Sequence, residues 1–182
     1  EGNYKANMSN LGGVSRGRIV PTCLLRPFDK STARNQPLLF TWKPFGGGEY
    51  GFILYRDSLL DEVQYGQQVK DTFLLLDPEE AKLNAGQKYF WLVNSKIVSP
   101  CTAYSFRILT VQEATDIDNE HSKLMAGLQF SAGTNKMLES AFFESKGLLN
   151  DAYQCILEAC RVEPDNAIFE NLRKNLESYP SN

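Results

Sequence analysis

Apolar positions follow two rhythms along this chain, and the change falls near Leu109. Up to that point they come in short runs, at residues 19–25, 38–42, 50–55, 73–76, 89–93 and 104–109. Within the runs the pattern alternates. Leu38, Phe40 and Trp42 fall on one side, as do Tyr50, Phe52 and Leu54, and again Tyr89, Trp91 and Val93. A period of two places alternate side chains on opposite faces of a strand. Turn-forming residues separate the runs: Pro27, the 31–37 loop, Lys43-Pro44 with Gly46-Gly47-Gly48, and Asp77-Pro78. Short alternating runs at this spacing predict an antiparallel β-sandwich. Residues 57–65 are less regular and read as a short edge strand, where Asp61 and Glu62 discourage pairing with other chains.

Beyond Leu109 the period lengthens to about 3.6, the helical value. Thr110 and Glu113 have the spacing of a capping box. They open a helix whose Ile117, His121, Leu124 and Leu128 share one face. Residues 131–134 break it. Further helices are predicted at 135–146, 150–162 and 167–178, the last placing Ile168, Phe169, Leu172 and Leu176 over the pair before it. The fold class is therefore mainly β plus α. Three parts follow: a polar N-terminal extension at 1–17, a sandwich at 18–110, and a helical subdomain at 111–182.

Two stretches carry resemblances. Leu38-Leu39-Phe40-Thr41-Trp42-Lys43-Pro44, followed by Tyr50-Gly51-Phe52-Ile53-Leu54-Tyr55, is similar to the second and third strands of a fibronectin type III, immunoglobulin-like domain. Leu83, Gly86 and Tyr89 match that family's L-x-x-G-x-x-Y segment. The resemblance implies a tyrosine corner, with the Tyr89 hydroxyl returning to backbone a few residues upstream. In the helical part, Phe143, Gly147, Leu149, Asp151, Ala152, Ile156, Ala159, Pro164 and Asn166 fall at the spacing of a tetratricopeptide (TPR) repeat. Lys136 and Glu139 depart from that pattern, standing where an aromatic and a Leu are usual. The combined order resembles extracytoplasmic proteins of bacteria, of the Bacteroidetes type, and implies an exported protein whose signal peptide has been removed. It implies no activity.

Composition narrows the function. The 182 residues carry a formal charge of −3, against the clustered basic surface that nucleic acid requires. No apolar run reaches the roughly 18 residues of a membrane span, so the chain as given is not transmembrane. It opens on Glu1 rather than Met, as a processed or excised chain would. Asn7-Met8-Ser9 fits the glycosylation triplet, which matters only in a eukaryotic secretory setting.

Four cysteines are too few for a disulfide scaffold, and one histidine removes most zinc arrangements. Cys155 and Cys160, five apart on a helix, lie about 140° apart around its axis and cannot bridge. Cys23 and Cys101 fall at two strand edges, where a disulfide and a pair of buried thiols are both open. No metal or other cofactor is expected. His121 has no nucleophile motif beside it and reads as a hydrogen-bonded histidine between the two parts. Gly46-Gly47-Gly48 lacks the Lys and Ser/Thr of a phosphate loop. Asp57, Asp61 and Glu62, and likewise Asp116, Asp118 and Glu120, lack calcium-loop spacing and read as solvated faces.

Trp42 and Trp91 point inward by alternation, as core rather than sugar platforms. Phe45, Tyr65 and Tyr104 are less constrained and form the candidate binding surface. The function expected is a non-catalytic extracytoplasmic module, in the periplasm or cell envelope, that binds or scaffolds a protein partner. The alternative is a carbohydrate-binding accessory module, recognisable by a row of exposed aromatics. A hydrolase would need two perturbed acids in one pocket, or His121 beside a nucleophile.

Overall fold

Alternating runs form strands where each can place one row of side chains in a shared core and leave the other outside. The computed structural model describes residues 23–97, 100–127 and 129–178. The 1–17 extension, the Asn7-Met8-Ser9 triplet, the opening of the first run at 19–22 and Leu128 lie outside these residues. The described strands are β1 (Leu24–Arg26), β2 (Ser31–Ala33), β3 (Leu38–Trp42), β4 (Tyr50–Tyr55), β5 (Val63–Val69), β6 (Phe73–Leu76), β7 (Lys88–Ser95) and β8 (Tyr104–Ile108). They form a three-stranded sheet of order β1-β3-β6 and a five-stranded sheet of order β2-β8-β7-β4-β5.

Two local features depart from the sequence reading. The 31–37 stretch is not all loop, because β2 lies parallel to β8, from Ser31 opposite Phe106 to Ala33 opposite Ile108. Three residues are too few to display a period. The strand is held instead by tertiary bonds, with the Leu109 N–H donating to the Ala33 carbonyl at 2.9 Å. The expectation of purely antiparallel pairing is corrected accordingly. The 57–65 stretch divides into a turn followed by β5. In that turn the Asp57 carboxylate accepts the N–H groups of Leu59 at 2.8 Å and Glu62 at 2.7 Å. Asp57 is thus a turn cap rather than a merely solvated charge, and these N–H bonds hold its carboxyl below the usual range.

Side chains of both sheets meet in one buried cluster. Phe40 on β3 lies 4.8 Å from Phe52, 5.0 Å from Trp91 and 5.7 Å from Phe106, ring centre to ring centre and near edge-on. That geometry suits the aromatic quadrupole. Trp42 and Trp91 are fully buried. The Tyr89 hydroxyl accepts the Asn84 N–H at 2.8 Å, so a buried ring keeps its polar tip bonded. Between them Gly86 adopts φ +78°, and a Cβ there would also approach the Thr110 methyl at 3.2 Å.

Four helices follow: α1 (Val111–Met125), α2 (Ala132–Ser145), α3 (Leu149–Val162) and α4 (Ala167–Glu177). They share a second buried cluster that includes Phe143, Leu148, Ala152, Ile156, Phe169 and Leu176. The packed stripe of α1 runs through Ala114, Ile117 and His121. Leu124 falls past its end and is 50% exposed, against expectation. Ile168 is likewise exposed, on the outer side of α4, while Phe169 and Leu176 turn inward.

The capping box opening α1 is complete, and it is joined to the sheet. The Glu113 carboxylate accepts from the Thr110 N–H at 2.8 Å and from Arg107 on β8 at 2.7 and 3.0 Å. Arg107 first, then Thr110, holds the Glu113 carboxyl at about 2, below its ordinary 4.5. A depressed folded value contributes stability above pH 4.5 that is lost as pH falls through about 2. Glu113→Gln should therefore be less stable than the parent near neutrality, by less than about 1 kcal/mol because the pair is solvent-screened. Melting temperatures of the two proteins should converge as acid titrates the parent carboxyl.

Candidate functional site

The two buried clusters are joined along α3. Its first turn carries Asp151 between the apolar Leu148 and Ala152, which turns this carboxylate inward with the packed face. The loop after β2 meets it. Arg34 Nε and Gln36 Nε2 each donate to Asp151 Oδ1 at 2.7 Å. Arg34 also reaches Asp118 on α1 at 3.2 Å, and its guanidinium lies 4.8 Å from the Phe143 ring. Nearby, Asn150 donates to the Ser31 hydroxyl at 3.2 Å, and the buried Arg26 of β1 stacks 3.3 Å above the Tyr153 ring. One short loop and one strand end thus hold α3 to the sheets.

Beside this joint is a cleft of about 250 Å³, walled by Arg34 and Gln36, His121, Lys136 and Glu139, and the α3 residues Asp151, Cys155 and Glu158. Its charges are matched internally. Lys136 lies 2.9 Å from Glu139 and 3.1 Å from Glu158. Those carboxylates, Glu139 foremost, hold the ammonium above its usual range. Burial pushes the Asp151 carboxyl up, with Arg34 pulling against it. Burial, followed by the Glu139 charge, pushes the Cys155 thiol up to about 12. A thiol so placed stays protonated near neutrality, whereas nucleophilic cysteines require the thiolate. The His121 ring stacks on Phe143, 5.3 Å between centres, and its buried Nε2 has no hydrogen-bond partner. The expected hydrogen bond of this histidine is replaced at Nε2 by aromatic packing. Lys136 and Glu139, on α2, form the ionic wall of the cleft with Glu158.

The three aromatics picked from the sequence do not form one surface. Tyr104 is 4% exposed, its ring 6.1 Å from Trp91. It belongs to the core, because β8 turns it to the same side as Phe106 and Ile108. Phe45 is half-buried, 5.2 Å from Tyr50, and its N–H donates to the Tyr50 hydroxyl. Tyr65 is half-buried against Phe52 and bonds Glu80 and Gln67 through its hydroxyl, which burial and then Glu80 push up to about 12. Each ring is engaged with a different core ring.

Cys23 and Cys101 are bonded, with Cα atoms 5.8 Å apart. The Lys43 N–H donates to the Cys23 carbonyl beside β3, and the Cys101 N–H donates to the Val93 carbonyl on β7, so the bridge links the two sheets. Cys155 and Cys160 are free. The second acidic group is tied into the helices rather than only solvated: Asp118 bonds Arg34, and Glu120 bonds Lys146.

One surface had no candidate in the sequence reading. On the outer side of the three-stranded sheet, Phe73 and Leu75 are 53% and 62% exposed. Leu39 stands directly opposite Leu75, and Leu25 shares the outward side of β1. The unbroken run Phe73-Leu74-Leu75-Leu76 was the available signal, since alternation would have placed polar residues at two of those positions.

Among the described residues no group of His, Cys, Asp and Glu could hold a metal ion, and no helix is long and apolar enough to cross a membrane. No protein-family model and no curated protein matches the sequence. Among solved structures, a weak likeness is found to the fn3 domain of human collagen alpha-1(XX) chain, at 23% identity and a TM-score of 0.33, covering 53% of this chain and 91% of that one.

Proposed function

We propose that this chain is a non-catalytic protein-interaction module that works outside the cytoplasm. In this reading it is a fibronectin type III-like sandwich to Leu109, fastened to a TPR-like helical subdomain. The observation that carries the reading is the outer face of β3 and β6, where Phe73 and Leu75 stand in solvent beside Leu39. Contiguous exposed apolar surface of this kind marks interaction sites. The cleft supports it from the other side: its charged side chains Arg34, Lys136, Glu139, Asp151 and Glu158 are spent on one another and on holding α3 in place. The Cys23–Cys101 bond supports an oxidising compartment. The TPR-like reading draws on buried Ala152, Ile156 and Ala159, and on Gly147 at φ +72° between α2 and α3. The carbohydrate alternative calls for a row of exposed rings. Among the described residues the exposed Phe73 lies on β6 and the exposed Phe130 in the connection before α2, and no observation favours this alternative.

The test compares three immobilised proteins in capture from the native envelope: the parent, Phe73→Ser/Leu75→Ser, and Ile168→Ser as a surface control on α4. The parent and the control should recover the same partner, and the sheet-face variant should recover about tenfold less. Equal recovery by all three would remove the sheet face from the function.

A further inference from the structure

Rim strands of a sheet usually carry a device that blocks further pairing, such as charge, Pro, a bulge or extreme shortness. β1 has three residues and runs into Pro27, β2 has three residues, and β5 bulges at Gln64, where its register against β4 shifts between Leu54 and Tyr55. β6 has four residues and all are apolar. Its free backbone groups can be identified. The Trp42 N–H donates to the Thr72 carbonyl at 3.0 Å, and the same register pairs Phe40 with Leu74 and Leu38 with Leu76. Hydrogen-bonded and non-hydrogen-bonded pairs alternate in an antiparallel ladder. Phe73 and Leu75 therefore occupy the non-bonded positions and turn their N–H and C=O groups away from β3. These are also the two residues whose side chains stand in solvent. Unpaired main chain and exposed apolar side chains thus coincide on one edge.

The ends of this edge are acidic. Exposed Asp71 and Asp77 flank β6 with Glu79 beyond; Lys70 precedes Asp71, and the β3 register carries Lys43 to the inner side of Asp71, away from the open edge. In the register that uses both outward-facing residues of each copy, a second copy is disfavoured by these charges. The symmetric register that sets Phe73 opposite Leu75 of another β6 would also set Asp71 opposite Asp77 at both ends, and like charges facing each other destabilise a ladder.

We infer that β6 accepts an added strand from a different protein: an extended segment with alternating apolar residues and a Lys or Arg at each end. Backbone bonds to Phe73 and Leu75 supply affinity, and the basic ends facing Asp71 and Asp77 supply register. This deepens the interaction reading above and rests on it.

The probe is the peptide acetyl-Lys-Thr-Val-Thr-Val-Thr-Lys-amide, with Glu in place of both Lys as the control. At a concentration that fills about nine-tenths of the sites, hydrogen exchange at the Phe73 and Leu75 amides should slow about tenfold. The Glu peptide should leave both unchanged. Leu75→Pro removes an outward donor without removing a bond to β3, so it should weaken peptide binding about tenfold, whereas Leu75→Val should bind as the parent does. Strand addition is overturned by absent protection, by equal protection with the Glu peptide, by protection mapping to β5, or by dimers that protect Phe73 and Leu75 without peptide. If Leu75→Pro still captures the envelope partner that Phe73→Ser/Leu75→Ser loses, strand addition fails while the interaction reading stands.

Discussion

Asp151→Ala should destabilise the protein by about 2–3 kcal/mol, measured by urea unfolding. Removing one partner of a buried ion pair costs about 3–5 kcal/mol, because the other is left uncompensated. The lower figure applies here because Arg34 is 26% exposed and keeps Asp118 as a second partner. Gln36 also loses the acceptor of its 2.7 Å bond. The effect belongs to the pairing rather than to the aspartate alone, so Arg34→Ala in the Asp151→Ala background should cost little more. A double-mutant cycle should return a coupling of about 1 kcal/mol or greater. Additive losses would mean that the loop after β2 does not hold α3 through this pair.

The Cys23→Ala/Cys101→Ala protein should lose about 2–4 kcal/mol, and the parent should lose the same amount under reducing conditions. The two cysteines are 78 residues apart, and cross-linking so long a loop removes much of the freedom of the unfolded chain. In the chain-entropy limit the gain is about 4.5 kcal/mol. The folded state loses little else, since the Cys101 N–H keeps its bond to Val93. A urea midpoint unmoved by reductant would show that the bridge does not contribute. The measurement also bears on compartment, because a chain that depends on the bridge is poorly suited to a reducing one.

Much of the strand framework was readable in the residues. β3, β4 and β6 lie where alternation or an apolar run put them, the capping box of α1 follows from local spacing, and the Tyr89 bond is the one that the resemblance carried by Leu83, Gly86 and Tyr89 implied. The candidate site was much less readable. Asp151 lies over a hundred residues from both Arg34 and Gln36 in sequence, and nothing in that loop or in α3 announces the other. Tyr104 shows the opposite failure: its position in a strand was visible, but which side of that strand faced inward was not.

The division has a physical basis. Local spacing decides what costs are local: the period of each element, a helix N-terminus that needs acceptors for its free N–H groups, and a turn that needs a positive φ at Gly86. Which strands lie at a rim, and which apolar residues remain uncovered there, depends on how many layers close over them. Phe73-Leu74-Leu75-Leu76 would suit a strand covered on both sides as well as one at an open edge. Only the assembled sheet, which places β6 last in the order β1-β3-β6, leaves Phe73 and Leu75 with unpaired main chain and exposed side chains together.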